Sequence, residues 1–481
     1  MKVMLIYPQW TGGYGIFAHF ANKSSSWPPL NLAYLASTAE QQGHDVRIID
    51  GQIERRTLSE IVEETRSFGP DLIGLTATTP FFHVAEETAN ALKNNIDAPI
   101  ALGGHHITVL GQKTFGSVFD YGFIGEADRS WPLFLDSFEK RENMAEVKGI
   151  LYREDGKIIS TKKADYVRDI DSLPLPARNL LKADRYIIGT SQGKKRFTSI
   201  MTTRGCPYKC IFCSTDVFGR SVRRRSPRKV VDEMRECKEN YGIDHFIILD
   251  DTLTLNKKHI LEICGLIKDE NLNITFEGST RANLVDEESM SSMAHAGLIR
   301  ISYGLESVDG EVRKIMKKEV PIEAYEIANK LSNKYGIETL NSCIIGMPGD
   351  TRETVRKTLA YLRKSKEIKQ ANISIAVPYP GTELYEMAKR REHGLELLSE
   401  DFSRYRRYNS AVMKVGDLSP DELLKMQNDA FASIYLAPWR WGPMIRKSGF
   451  FGATLTFSRL IKSLIGGNAD FITARQLGIS D

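Results

Sequence analysis

The chain has 481 residues, 42% hydrophobic and 26% charged, which fits a folded globular protein and excludes a disordered or fibrous one. Its length exceeds what one core usually organises, so two or three domains are expected. The formal net charge of +4 is small for this length and gives no reason to expect a nucleic-acid partner.

Residues 1–145 alternate strand-like and helix-like segments. Lys2 to Tyr7 reads as a strand, Leu30 to Gln42 as a helix ended by Gly43, and Asp45 to Ile49 as the next strand. A helix over Leu58 to Phe68, a strand over Leu72 to Leu75 and a helix over Val84 to Asn94 follow. Strands over Ile100 to Leu102 and Tyr121 to Ile124 complete the series. This rhythm predicts an α/β domain with a doubly wound, Rossmann-like parallel sheet. Ligands of such sheets sit at the carboxyl ends of the strands. Those ends carry Pro8-Gln9-Trp10, Thr76-Ala77-Thr78, Gly103-Gly104-His105 and Gly125-Glu126. Gly-Gly after a strand lets a bulky planar ligand approach the backbone.

Residues 146–190 read as a hairpin turning at Asp155-Gly156 and a proline-containing linker. From 191 to 385 a second βα series is expected. Its strands are Phe197 to Thr202, His245 to Leu249, Ile274 to Glu277, Ile299 to Leu305, Thr339 to Ile345 and Ile373 to Val377. Six strands suggest an open partial (β/α)6 barrel, active at the carboxyl ends of its strands. Residues 386–481 look mainly helical. Phe431 to Gly467 lacks Asp and Glu, and Phe457, Leu460, Ile461, Leu464 and Ile465 share one helical face. That face either packs on the barrel or meets a membrane or an apolar substrate. No apolar run reaches the roughly 18 residues of a spanning helix. The opening MKVMLIYPQW lacks a signal peptide's apolar core, so the cytoplasm is the expected location.

Six cysteines in an unsecreted chain of this size do not form a disulfide framework. Cys237, Cys264 and Cys343 are scattered and read as buried thiols. The other three are spaced Cys206-x3-Cys210-x2-Cys213, with Phe212 before the last. Three thiolates on one tight loop can hold three irons of a cubane and leave the fourth open to an outside ligand. Zinc is the alternative, but zinc motifs usually pair two Cys-x2-Cys knuckles, and no second pair exists.

CPYKCIFC resembles the signature of the radical S-adenosylmethionine (SAM) superfamily, and the likeness extends from about Phe197 to Tyr385. The resemblance implies a 4Fe-4S cluster whose open iron chelates SAM and cleaves it to a 5′-deoxyadenosyl radical. It places Asp250 or Asp251 near the SAM amino group, and Ser279 and Arg281 near its carboxylate. Glu306 would accept from the ribose, and Phe212 also joins the SAM site. An arginine fork suits a carboxylate. The first domain ahead of such a barrel is similar to that of the cobalamin-binding subgroup, nearest to the anaerobic magnesium-protoporphyrin monomethyl ester cyclase and its relatives. Ser26-Trp27-Pro28-Pro29, Thr76-Ala77-Thr78-Thr79-Pro80, Leu102-Gly103-Gly104, Arg204-Gly205-Cys206-Pro207 and Tyr435-Leu436-Ala437-Pro438-Trp439-Arg440 carry that likeness. It implies cobalamin on the carboxyl edge of the first sheet, held by Gln9, Trp10, Thr76, Thr78, Gly103, Gly104, His105, Gly125 and Glu126. The loop after the first strand has no Asp-x-His-x-x-Gly, so no histidine there would ligate cobalt.

The expected function is therefore cobalamin-dependent methylation of an unactivated centre of a small or hydrophobic, lipid-like substrate. A cyclase or oxidoreductase without methyl transfer is the alternative, and a corrinoid carrier without chemistry a third. An electron donor such as flavodoxin or ferredoxin is implied, and a peripheral membrane contact through the C-terminal segment is open. The basic run Arg220 to Arg228 reads as a solvated face and receives no role.

Overall fold

The computed structural model describes residues 1–10, 27–116 and 118–441. The chain forms two compact units. One joins Met1–Tyr186 to Ser214–Arg225; the other joins Ile187–Cys213 to the chain from Ser226 onward.

The first unit is built on β1 (Lys2–Tyr7), β2 (Asp45–Asp50), β3 (Leu72–Thr76), β4 (Ile100–Gly103), β5 (Tyr121–Phe123), β6 (Ile150–Glu154) and β7 (Lys157–Ser160). They form one sheet in the order β2-β1-β3-β4-β5-β6-β7. The first five are parallel, and the order reverses between β1 and β3, where doubly wound sheets bind ligands. Alternation divides each strand between two cores. Met4, Ile6, Ile73, Leu75, Ile100 and Leu102 enter one, while Val3, Leu5, Leu72 and Ala101 enter the other. The helix Leu58–Phe68 starts at a capping box between Thr57 and Glu60 and stops at Gly69, whose φ is 64°. The expected hairpin at Asp155-Gly156 is present as β6 and β7. It pairs antiparallel with β5 and extends the sheet, so the unit runs past the expected boundary at 145.

The second unit carries β8 (Ile187–Thr190), β9 (Gly193–Ile200), β10 (His245–Ile248), β11 (Thr275–Thr280), β12 (Leu298–Glu306), β13 (Glu338–Ile345) and β14 (Gln370–Ile375). Strands β9 to β14 are parallel neighbours in chain order. The sheet ends at β14 on one side and at β8 on the other, so it is an open partial barrel. β8 pairs antiparallel with β9, which therefore begins at Gly193 rather than Phe197.

Beyond the barrel the described chain is less helical than expected. β15 (Leu395–Leu397) and β16 (Met413–Val415) form an antiparallel pair, followed by the helix Pro420–Tyr435. The Tyr435 hydroxyl accepts from the Ala371 amide (3.0 Å) and donates to the Ala371 carbonyl (2.8 Å), bonding the helix to β14. Arg440, almost fully buried, donates to the carbonyls of Leu362 (2.5 Å), Ile434 (2.9 Å) and Ile368 (3.2 Å). Two of these lie at or just past the carboxyl end of the helix Arg352–Lys364, where a cation is favoured. The apolar face of Phe457 to Ile465 and the loop Thr11-Gly12-Gly13 lie outside the described residues. Among the described residues no helix is long and apolar enough to cross a membrane.

Candidate active site

The three cysteines follow β9 at the carboxyl mouth of the barrel. Asp250, at the end of β10, fixes how the chain leaves β9. Its carboxylate accepts from the amides of Thr202 (2.7 Å) and Thr203 (3.0 Å) and from the Thr202 hydroxyl (2.5 Å). These bonds engage both oxygens of this buried carboxylate, which ties the start of the cysteine loop to the second strand. Its neighbour Asp251 is exposed at the mouth. Within the loop, the Cys213 amide bonds the Cys210 carbonyl (3.1 Å), and the Ile211 amide bonds the Met316 carbonyl (3.2 Å). The Cys210 thiol points at the Lys317 carbonyl, 3.8 Å away.

Burial raises the Cys206 thiol, opposed by the Tyr208 amide and the Thr252 hydroxyl. Cys213 is exposed, yet the protein around it pushes its thiol up to about 12, with Cys210 adding and Lys318 opposing. Such thiols become thiolates only against strong positive charge, which iron supplies. Among the described residues no three His, Cys, Asp or Glu side chains gather round one ion-sized point. Cys237, Cys264 and Cys343 are buried thiols in no disulfide.

Arg281 follows β11 and is buried. Its guanidinium lies 3.8 Å over the Tyr208 ring and donates to Cys210 Sγ at 3.8 Å. Its Nε is buried with no hydrogen-bond partner, an orphan donor beside the thiols that an anionic ligand would satisfy. Ser279 is exposed nearby, its carbonyl accepting from the Leu253 amide at 2.9 Å.

Glu306 ends β12 with a left-handed φ of 63° and is buried. The ammonium of Lys318, also buried, sits 2.7 Å from Glu306 Oε1 and 5.9 Å from the Phe212 ring centroid. Burial alone would lower the Lys318 ammonium, but Glu306, Tyr325 and Cys210 carry it above the ordinary value. Phe212 and Glu306 border a cavity of about 230 Å³ whose wall also includes Cys343, Asn372, Ala376 and Tyr379. No signal in the sequence singled out Lys318.

In the first unit, the expected ligand edge is assembled at the ends of β1, β3, β4 and β5. Gly104 has φ 103°. A Cβ there would stand 2.5 Å from the Ala77 carbonyl and 2.9 Å from Thr76 Oγ1, so only glycine permits this approach. Asn31 Nδ2 donates to Thr76 Oγ1 (3.1 Å), and Trp10 packs on Phe81 at 4.6 Å. Thr78 is exposed, and Gln9, Gly103, His105 and Gly125 are half-buried along the same edge. The adjacent Thr79 Oγ1 is buried without a hydrogen-bond partner. That orphaned hydroxyl beside the rim is open to a hydrogen bond from a ligand.

Burial lowers His105, opposed by Asp216, and lowers the core residue His106 to about 4. His106 stacks on Phe82 at 4.2 Å. Glu126 has a different occupation. It is buried and paired with Arg223 (2.6 Å), and it also accepts from the Val167 amide (3.2 Å). Arg223 further donates to the carbonyls of Val167 (2.8 Å) and Phe218 (3.0 Å). The run Arg220 to Arg228 is thus not simply a solvated face, since Arg223 and Arg225 are buried.

Residues 200–362 match the radical SAM superfamily and residues 19–133 match the B12 binding domain. An uncharacterized methyltransferase of Pyrococcus horikoshii is 33% identical over 442 residues, 91% of this chain and 93% of that protein. The anaerobic magnesium-protoporphyrin IX monomethyl ester cyclase of Cereibacter sphaeroides is 28% identical over 475 residues, 95% of this chain and 75% of that protein. The fold is similar to that of the radical SAM methyltransferase TsrM from Kitasatospora setae, solved with cobalamin and a 4Fe-4S cluster. The TM-score is 0.72 at 18% identity, covering 90% of this chain and 88% of that one.

Proposed function

The chain belongs to the radical SAM superfamily, in the branch that joins a B12-binding domain to the radical SAM domain, and from that premise we propose that it methylates an unactivated centre of a small-molecule substrate. Its 4Fe-4S cluster, SAM and cobalamin supply one-electron cleavage of SAM to a 5′-deoxyadenosyl radical and a carrier for the methyl group.

The single observation that carries the reading is the loop of Cys206, Cys210 and Cys213 at the barrel mouth, beside the orphaned donor of Arg281. In this reading the three thiolates hold three irons. Arg281 Nε meets the SAM carboxylate, and Asp251 faces its amino group with Ser279 nearby. Asp250 acts indirectly, by holding the loop through Thr202 and Thr203. The cavity between Phe212 and Glu306 takes the adenosine. Gln9, Trp10, Thr76, Thr78, Gly103, Gly104, His105 and Gly125 cradle the corrin, while Glu126 braces that edge from behind through Arg223. A low-potential flavodoxin or ferredoxin serves as reductant. A hydrophobic, lipid-like acceptor is the finer reading, supported by the apolar, acid-free composition of Phe431 to Gly467.

The likeness to the cyclase supports a second reading, radical oxidation or ring closure without methyl transfer. One experiment separates them. The protein is loaded anaerobically with iron, sulfide and cobalamin, given SAM and a strong reductant, and assayed for S-adenosylhomocysteine and 5′-deoxyadenosine. Both products are expected. Deoxyadenosine alone would move the assignment to the cyclase class. Replacing Cys206, Cys210 or Cys213 with Ala should abolish SAM cleavage while corrinoid stays bound, and retained cleavage in any of the three would overturn the cluster assignment.

A further inference from the structure

Helical threonines of the first unit spend their hydroxyl protons locally. Thr65, Thr88 and Thr108 each donate to the carbonyl four residues before, on Ile61 (2.7 Å), Val84 (2.8 Å) and Gly104 (2.8 Å). Thr76 ends β3 and has no such carbonyl. It is 8% exposed, and its hydroxyl makes one hydrogen bond among the described residues, accepting from Asn31 Nδ2 at 3.1 Å. A hydroxyl carries one proton. Asn31 takes a lone pair of Thr76, so the Thr76 proton is unspent. Buried donors are paired as a rule, with protein, water or ligand.

The surroundings leave that proton few directions. Gly104 closes one side, because a Cβ there would stand 2.9 Å from Thr76 Oγ1. Asn31 closes another. It lies exposed in the first turn of the helix Leu30–Gln41, which follows β1, whereas Thr76 belongs to β3. Their bond therefore joins the two sides of the point where the strand order reverses, the crevice in which doubly wound sheets hold their ligands. Thr79 Oγ1, buried three residues on, has no hydrogen-bond partner either. Two threonine hydroxyls at the end of one strand thus keep their protons for something outside the described residues.

We propose that Asn31 is a positioning residue for cobalamin, acting through Thr76. Its amide N–H occupies the Thr76 hydroxyl oxygen and turns the hydroxyl proton into the crevice, where Thr76 donates it to an oxygen of the cofactor. That oxygen is the carbonyl of a corrin amide arm or an oxygen ligand beneath cobalt; the two share the chemistry of an acceptor. The proposal rests on the reading of the first unit's carboxyl edge as the corrin site.

The test is equilibrium dialysis of the full-length, cluster-loaded protein against hydroxocobalamin, with electron paramagnetic resonance after mild reduction to cob(II)alamin. Thr76→Val keeps the shape and removes the hydroxyl, and should weaken binding about tenfold, the net worth of one hydrogen bond. Asn31→Asp should weaken it as much, because a carboxylate only accepts and draws the Thr76 proton onto itself. An aspartate in the first turn of a helix is favoured by the macrodipole, so a weaker helix is not the cause of that loss. The double variant should bind no worse than either single one, since both remove the same bond. A changed cobalt hyperfine pattern in Thr76→Val assigns the acceptor to an oxygen beneath cobalt, and an unchanged pattern with weaker binding assigns it to an amide arm. Wild-type affinity in Thr76→Val overturns the proposal. Wild-type affinity in Asn31→Asp also does, since Asn31 would then accept from Thr76 rather than donate to it. So do losses that add in the double variant, which would make Asn31 independent of Thr76. A wild-type protein that takes up no cobalamin would instead reject the corrin reading on which the proposal rests.

Discussion

Asp50 ends β2 almost fully buried. Its Oδ1 accepts from the amides of Gln52 (2.9 Å) and Ile53 (3.1 Å), and its Oδ2 from the Tyr186 hydroxyl (2.6 Å). Burial nevertheless pushes the carboxyl from 3.8 up to about 6, and the three hydrogen bonds oppose that shift without cancelling it. The folded chain therefore binds this proton more tightly than the unfolded chain does. Stability that is present below about pH 4 is lost as the pH rises through 6. A gap of about two units at about 1.36 kcal/mol each gives a loss of about 3 kcal/mol. Asp50→Asn removes the ionisable group, so the variant should gain on wild type by up to about 3 kcal/mol between pH 4 and pH 8. The assay is urea unfolding at pH 4, 6 and 8, read through hydrogen exchange of the Val3–Ile6 amides, because a two-unit chain has no single transition. A difference between variant and wild type that stays constant with pH would refute the reasoning. It would mean that the hydrogen bonds, not burial, dominate at this carboxylate.

Two further substitutions probe how the sites are held. Gly104→Ala places a Cβ against the Ala77 carbonyl at a backbone conformation that costs about 1–3 kcal/mol for other residues. It should lower the thermal midpoint and weaken cobalamin retention measured by absorbance after gel filtration, and unchanged retention would dissociate Gly104 from the corrin edge. Arg440→Met keeps an apolar stem but takes the guanidinium's hydrogen bonds from the carbonyls of Leu362 and Ile368, while Ile434 keeps the Ala437 amide. At about 1–3 kcal/mol for an unsatisfied buried group, less the relief of burying no charge, a net loss of about 2–4 kcal/mol is expected. Hydrogen exchange at the end of the helix Arg352–Lys364 reads it, and a loss below about 0.5 kcal/mol would make the clamp incidental.

Local chemistry made much of the fold legible. The helix Leu58–Phe68 falls where Thr57, Glu60 and Gly69 say it should, because each signal acts within one turn. The parallel strands of both units read as apolar runs because both faces are covered. The cysteine loop is legible because its ligands sit within eight residues of one another. What stayed hidden depends on partners far along the chain. Arg223 looks like one arginine of a solvated run until it meets Glu126, 97 residues earlier. Asp250 and Asp251 are indistinguishable in sequence, and only the Thr202 and Thr203 amides separate the brace from the exposed carboxylate. β15 and β16 are three-residue strands, too short for alternation to register. Lys318 carries no pattern at all, since its direction is set by the backbone turn at Lys317, whose φ is 54°.

The first unit is not a continuous stretch of chain. It closes only with Ser214–Arg225, which follow the last cysteine directly. During synthesis, Met1–Tyr186 emerges with Glu126 already in place but with its Arg223 still unmade. Domains generally fold as units from the amino end, and both cores of this one lie within residues 3–177, so what must wait for the chain beyond the cysteine loop is the Glu126–Arg223 pair. A chain cut once, anywhere between 187 and 213, gives no fragment with an intact first unit. The Glu126–Arg223 pair can therefore form only in a chain that has already extended past all three cysteines.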